Sequence, residues 1–205
     1  FDIRIGQSVT LTGRCITKHM ASKVNEIVTG EYDHKGESIV YGDTDSVYFS
    51  AYKTLQKEIK DGLIPWTKDS VVGLYDKISE EVNSSFKSFM TKAFHTPATR
   101  GEVIAAGREL VASKGLFITK KRYAVLYYDK EGKRTDVEGK EGKMKAMGLD
   151  LKRSDTPVFV QDFLSEILYM VLSGNEEKKV LDRISTQRQK WPRVKQICQV
   201  MSEPV

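Results

Sequence analysis

The segment Tyr41-Gly42-Asp43-Thr44-Asp45-Ser46 sets two carboxylates two residues apart between the β-prone runs Ser38 to Tyr41 and Ser46 to Ser50. In an extended chain, residues i and i+2 share a face, so both anions can converge on one point. Like charges that close repel unless a cation lies between them. Oxygen-only ligands with positions left open to water and phosphate suit Mg²⁺, which seldom receives an all-protein cage. A pair of such ions about 4 Å apart can activate an attacking hydroxyl and stabilise a departing phosphate oxygen. The competing reading makes both aspartates turn formers and nothing more. An EF-hand loop is excluded: counted from Asp43, the fifth position is Val47 and the twelfth Thr54, and neither serves as a ligand there.

The second segment with chemistry in it is Leu116-Phe117-Ile118-Thr119-Lys120-Lys121-Arg122-Tyr123-Ala124-Val125, a β-like apolar run interrupted by three cations and an aromatic. Strand alternation would put Lys121 and Tyr123 on one face with Phe117 and Val125, and Lys120 and Arg122 on the other. A lysine beside a tyrosine hydroxyl can donate to phosphates or to minor-groove acceptors, which look much alike for every base pair. Such contacts grip DNA with little sequence preference. The plainer alternative is an edge strand protected by lysines.

Charge distribution bears on that choice. From Lys114 to Arg153 there are 12 Lys/Arg against 6 Asp/Glu, whereas the whole chain carries a net +5, so the remainder is slightly acidic. Concentrated positive charge beside a near-neutral remainder favours a polyanionic partner. Hydrophobic residues at 40% and charged residues at 30% exclude gross disorder. No apolar run reaches the ~18 residues of a membrane span. Cys15 and Cys198 form no CxxC pair and the three histidines are scattered, so neither a disulfide framework nor a zinc site is indicated. Reduced, intracellular surroundings are expected. Phe1-Asp2-Ile3-Arg4 has neither the basic stretch nor the apolar core of a signal peptide, and with no initiator Met a fragment is expected.

These segments need elements to position them. Val9, Ile16, Met20, Val24 and Ile27 recur at helical steps and predict a helix from Ile5 to Ile27, closed by Thr29-Gly30. The carboxylate hairpin follows. After a polar stretch with Pro65, a second long helix is expected from Asp69 to Phe94, capped by Asp69 or Ser70, with Val71, Ile78, Val82, Phe86 and Phe89 in its apolar stripe. A loop through Pro97 and Gly101 leads to the β-prone runs Val103 to Ala106 and Leu116 to Tyr128, the latter turning at Asp129-Lys130-Glu131-Gly132. Beyond Met147-Gly148 the composition changes. Asp155-Thr156-Pro157 opens a helix that stops at Gly174, and a charged helix should cover Glu176 to Lys190. Strands and long helices segregated in sequence predict an α+β fold.

YGDTDS between β-prone runs resembles the motif C hairpin of family B DNA polymerases of the phage replicative type, and KKRY at 120–123 resembles that family's primer-gripping motif. Phe1 to Glu26 is similar to the helix after the nucleotide-binding helix. Met147-Gly148-Leu149 through Thr156-Pro157-Val158 is similar to the entry into the thumb. The resemblance implies an antiparallel palm-type sheet packed on two long helices, with palm over 1–147 and the beginning of an incomplete thumb over 148–205. It implies that Asp45 ligates two Mg²⁺ ions, that Asp43 supports it, and that Gly42 allows the turn. Lys121 and Tyr123, with Lys120 and Arg122, would contact DNA, and Glu109 would be an auxiliary carboxylate. Primer–template DNA and dNTP would be the partners, in the cytoplasm of a host cell.

The family divides its metal ligands between motif C and an upstream aspartate in a DxxSLYPS-like segment. Neither that segment nor a KxxxNSxYG-like helix occurs in the 205 residues. The expectation is therefore a fragment or split subunit that needs an N-terminal polymerase half and is inert alone. A non-catalytic DNA-binding module derived from a palm is the alternative. A nucleotide cyclase would share the carboxylate hairpin but would need neither the KKRY strand nor a thumb.

Overall fold

The computed structural model describes residues 2–137, 141–149, 151 and 156–188. Helices and antiparallel strands are mixed, so the fold is α+β. Two compact units divide the chain, Phe1–Val111 and Ala112–Val205.

The first unit is built on two helices of equal length, α1 (Ile3–Thr29) and α3 (Lys68–Phe94). Their stripes meet as the periodicity predicts from Ile16 onward, whereas Val9, placed in the same stripe, is 69% exposed. Val24 of α1 and Ile78, Val82 and Phe86 of α3 form the buried centre, flanked by Ile16, Met20 and Ile27. Burying each such side chain contributes roughly 1.5–3 kcal/mol. Gly30 closes α1 at φ 86, a left-handed conformation that costs glycine little. The cap of α3 is neither Asp69 nor Ser70. Thr67 lies in extended geometry and its hydroxyl accepts the Ser70 N–H at 3.2 Å, which leaves Asp69 in the first turn facing the positive end of the helix dipole.

His19 is buried where α1 meets α3. Its ring stacks on Phe89 at 3.9 Å, and its nitrogens sit 2.7 Å from the Tyr32 hydroxyl and 2.9 Å from the Ser85 hydroxyl. Burial, and then the nearby Lys23 ammonium, hold its pKa below the ordinary 6.5, with Glu26 opposing them. The neutral ring is thus the folded form. As pH falls below 6.5 the unfolded chain takes up the proton first, so stability present above that pH is lost on acidification. Urea midpoints measured at pH 7.5 and 5.5 should fall more for the native chain than for His19→Gln. Equal falls would remove His19 as the cause.

Between the helices stand the hairpin β1 (Ile39–Gly42) and β2 (Val47–Phe49), then the short α2 (Gln56–Lys60). After α3 comes α4 (Ala98–Gly101). Val103 to Ala106, read as a strand, is not one. The Asn83 side chain of α3 binds both the N–H and the carbonyl of Ala106, at 2.7 and 2.9 Å, and Ser79 donates to that carbonyl as well. Side chains here satisfy the groups a neighbouring strand would have used.

The second unit is built on a four-stranded antiparallel sheet, whose first strand begins two residues before the boundary: β3 (Leu110–Thr119), β4 (Arg122–Lys130), β5 (Lys133–Arg134) and β6 (Lys143–Met147). Among the described residues the antiparallel strands thus fall into two sheets, β1–β2 on the helices and β3–β6. The run read as one strand, Leu116 to Tyr128, is folded back on itself at Lys120-Lys121. The Glu131-Gly132 turn is where the sequence puts it, with φ 50 and 79, the positive pair that a tight two-residue hairpin demands. Strand β6 went unanticipated, although Lys143-Met144-Lys145-Ala146 alternates: Met144 and Ala146 pack with Ala124, Leu126 and Leu172. Helix α5 (Val158–Leu172) supplies Leu168, Tyr169 and Leu172 to that layer, and Gly174 follows it at φ 76. Residues 177–188 form α6. Asp155 and Lys190, named in the expected helix boundaries, lie outside the described residues. No described helix is long and apolar enough to cross a membrane.

Candidate functional site

The carboxylate hairpin is held at three places. At its entry, the buried Asn25 of α1 accepts from the Ser38 N–H at 3.2 Å and from the Ser38 hydroxyl at 2.8 Å. At its tip, Thr17 of α1 donates to the Thr44 carbonyl at 3.0 Å. At its exit, the Ala51 N–H donates to the Tyr75 hydroxyl of α3 at 3.4 Å. Burial raises the pKa of Tyr75, so the phenol stays protonated. The hairpin is therefore fixed by the two helices rather than by its few ladder bonds.

A β-bulge sets the direction of its side chains. Ile39 pairs with Phe49 but Tyr41 pairs with Tyr48, so β1 carries one extra residue, Val40. Ile39 and Phe49 pack on the α1–α3 seam. The bulge turns Tyr41 to the opposite face with Tyr48, the two rings 6.1 Å apart. Bulges re-aim side chains in this way beside functional sites.

Asp43 and Asp45 do not share the face of one extended strand, as the i, i+2 spacing suggested. The Asp43 N–H donates to the Ser46 carbonyl at 3.0 Å, so Thr44 and Asp45 form the turn itself. Asp43 is half-buried and its Oδ1 accepts from the Thr44 N–H at 2.8 Å and the Thr44 hydroxyl at 3.2 Å, with the Tyr41 hydroxyl 3.4 Å from Oδ2. Asp45 is exposed on the turn. One carboxylate thus shapes the loop while the other is offered outward.

Hard carboxylate oxygens with no imidazole or thiol suit Mg²⁺ as part of a ligand set. Among the described residues no group of three or more His, Cys, Asp or Glu side chains gathers to hold a metal, so Glu109 does not complete such a cluster with Asp43 and Asp45. Glu109 is exposed and follows Arg108, whose guanidinium is ion-paired with Asp76 of α3.

In the second unit, Lys120 and Lys121 make the turn between β3 and β4, with Lys121 at φ 62. Strand alternation therefore does not govern the two lysines. Both project at the hairpin tip and are exposed, as is Arg122. Phe117 and Tyr123 do share a face, but as neighbours on β3 and β4 across the turn rather than by alternation along one strand. Their rings stack at 5.6 Å, and Tyr123 is buried at the base of the turn. What the sequence reading missed is the support beneath: Met147 of β6 pairs with Tyr123.

The chain belongs to DNA polymerase family B, whose sequence model matches residues 1–202. It is 32% identical to the DNA-directed DNA polymerase of Escherichia phage RB69 over 188 residues, which are 86% of this chain and 20% of that protein. Against the DNA-directed DNA polymerase of Enterobacteria phage T4 the identity is 28%, with the same shares. The DNA polymerase 037L of Invertebrate iridescent virus 6 is 25% identical over 89% of this chain and 13% of its own length. The chain spans about a fifth or less of these relatives.

Proposed function

We propose that this chain supplies the motif C hairpin and the DNA-gripping turn of a DNA-directed DNA polymerase that transfers a nucleotide from dNTP to a primer 3′-hydroxyl. The observation that carries the reading is YGDTDS at the tip of a helix-clamped hairpin, in a chain matched to family B over residues 1–202. Palm over 1–147 and the first part of a thumb, α5 and α6, over 148–205 is the corresponding domain assignment.

Asp45 presents a carboxylate at the turn to Mg²⁺, and Asp43 holds the turn in shape while adding negative charge beside it. Two bound Mg²⁺ would supply activation of the primer hydroxyl and stabilisation of charge on the departing pyrophosphate. Lys121 at the hairpin tip, flanked by Lys120 and Arg122, holds the duplex by its phosphates and groove acceptors, and Tyr123 packs the base of that tip on Phe117. A further carboxylate from outside these 205 residues completes the ligand set, and the polymerase portion carrying it is the required partner.

Templated primer extension with Mg²⁺ tests this, using the chain alone and mixed with a polymerase portion that carries the upstream aspartate segment. Extension only in the mixture is the expected result. Extension by the chain alone would refute the need for a partner carboxylate. A second reading, a DNA-binding module without catalysis, is favoured because among the described residues no third metal-ligating side chain gathers with Asp43 and Asp45. It would gain if the mixture stayed silent while the chain bound duplex.

A further inference from the structure

We propose that Gly148 is a positioning residue for the Lys120-Lys121 turn, holding the basic tip in the shape that grips duplex DNA; this rests on the DNA-contact reading of that turn. Gly148 leaves β6 one residue after Met147, which pairs with Tyr123, so the chain arrives directly beside the turn. Its φ is +64, and a Cβ built on it would lie 1.9 Å from the Lys121 carbonyl oxygen and 3.2 Å from Cγ of Arg122. The first of these neighbours is backbone. Any side chain at 148 must therefore push the turn itself aside.

Lys121 makes the closeness meaningful. At φ 62 it holds a left-handed conformation that costs a non-glycine residue roughly 1 kcal/mol or more. The two-residue turn between β3 and β4 calls for that conformation, as the Glu131-Gly132 turn does. The glycine backbone packed against the Lys121 carbonyl supports it there. β6 also provides a matched comparison at its other end. Gly142 has φ +146, and a Cβ there would lie 2.3 Å from the Tyr127 carbonyl oxygen, away from the turn. Gly148→Ala and Gly142→Ala thus strain the same strand by the same means, and only the first disturbs Lys121.

The test compares the full chain with Gly148→Ala, Gly142→Ala, Lys121→Ala and the Lys121→Ala/Gly148→Ala double variant. Trypsin cleaves after Lys120, Lys121 and Arg122, so the turn reports on itself by mass spectrometry. Gly148→Ala should speed cleavage there about 10-fold over Gly142→Ala, because local opening becomes easier. Equal rates in the two glycine variants would overturn the proposal. In primer–template binding, Gly148→Ala should weaken affinity about 5–10-fold and lower the salt slope by about one, as Lys121→Ala does. The double variant should bind no more weakly than Lys121→Ala, since both changes remove one contact. Fully additive losses would also overturn it. Faster cleavage with DNA affinity unmoved by either Gly148→Ala or Lys121→Ala would refute the DNA-contact reading and leave the support of the turn standing.

Discussion

Asp45→Ala is expected to lower templated primer extension by the assembled polymerase by about 10³-fold or more, roughly 4 kcal/mol of transition-state stabilisation. The size follows from position. Asp45 is exposed on the turn, so its carboxylate is free to serve an ion without dismantling the fold. Thermal stability should consequently change by no more than about 0.5 kcal/mol, as for other surface substitutions. Asp43 should behave differently. Its Oδ1 is occupied by the Thr44 N–H and hydroxyl, contacts an asparagine oxygen can keep. Asp43→Asn should then cost only about 10–100-fold, the usual size of an outer-shell effect. Asp43→Ala should add a loss of stability, because the turn loses its acceptor. If Asp43→Asn proves the more damaging of the two, the roles are reversed. If Asp45→Ala keeps more than a tenth of the activity, Asp45 is no metal ligand.

The parts of this fold that follow from local chemistry were legible. Helices α1 and α3 declare themselves because their apolar stripes are long, and from Ile16 onward that of α1 is buried against α3 and the hairpin. The turn at Glu131-Gly132 is legible because Gly132 suits positive φ and Asp129 is a turn former, its Oδ1 accepting the Gly132 N–H at 3.2 Å. The interruption at Lys120-Lys121 was not, since neither residue favours a turn and the flanking run looks continuous. What folds the chain there is tertiary: β6 pairs along β4, and Gly148 meets the Lys121 carbonyl. The carboxylate hairpin was legible as a hairpin, but not its directions. A one-residue bulge at Val40 leaves little trace in composition, and it decides which face Tyr41 occupies. Likewise Val103 to Ala106 reads as a strand because its residues suit one, while Asn83, more than twenty positions earlier in the chain, takes its hydrogen bonds. Residue type suggests the chemistry; partners distant in sequence determine where it points.

Asn25→Ala should cost about 3–4 kcal/mol, the largest stability loss expected of a polar residue here. The side chain is 1% exposed and satisfies three groups at once. Its oxygen accepts from the Ser38 N–H and hydroxyl, and its amide donates to the Glu31 carbonyl at 2.8 Å. Gly36 lies against it, since a Cβ there would stand 2.0 Å from Nδ2. Alanine at 25 leaves Ser38 and Glu31 without those partners in a site closed to solvent. The urea midpoint should drop by about 1.5–2 M, given a slope of roughly 2 kcal/mol per molar. Asn25→Asp separates hydrogen bonding from packing. A buried aspartate facing the Glu31 carbonyl has its pKa raised in the folded state, so the fold prefers the protonated acid, which can still donate. Stability should then be greatest at low pH and fall as pH rises above about 3.9, where the unfolded chain releases the proton first. A loss under about 1 kcal/mol for Asn25→Ala, or a flat pH profile for Asn25→Asp, would mean that the loop from 31 to 38 does not depend on Asn25. The hairpin entry would then have to be held by the packing of Ile39 and Phe49 on the helices alone.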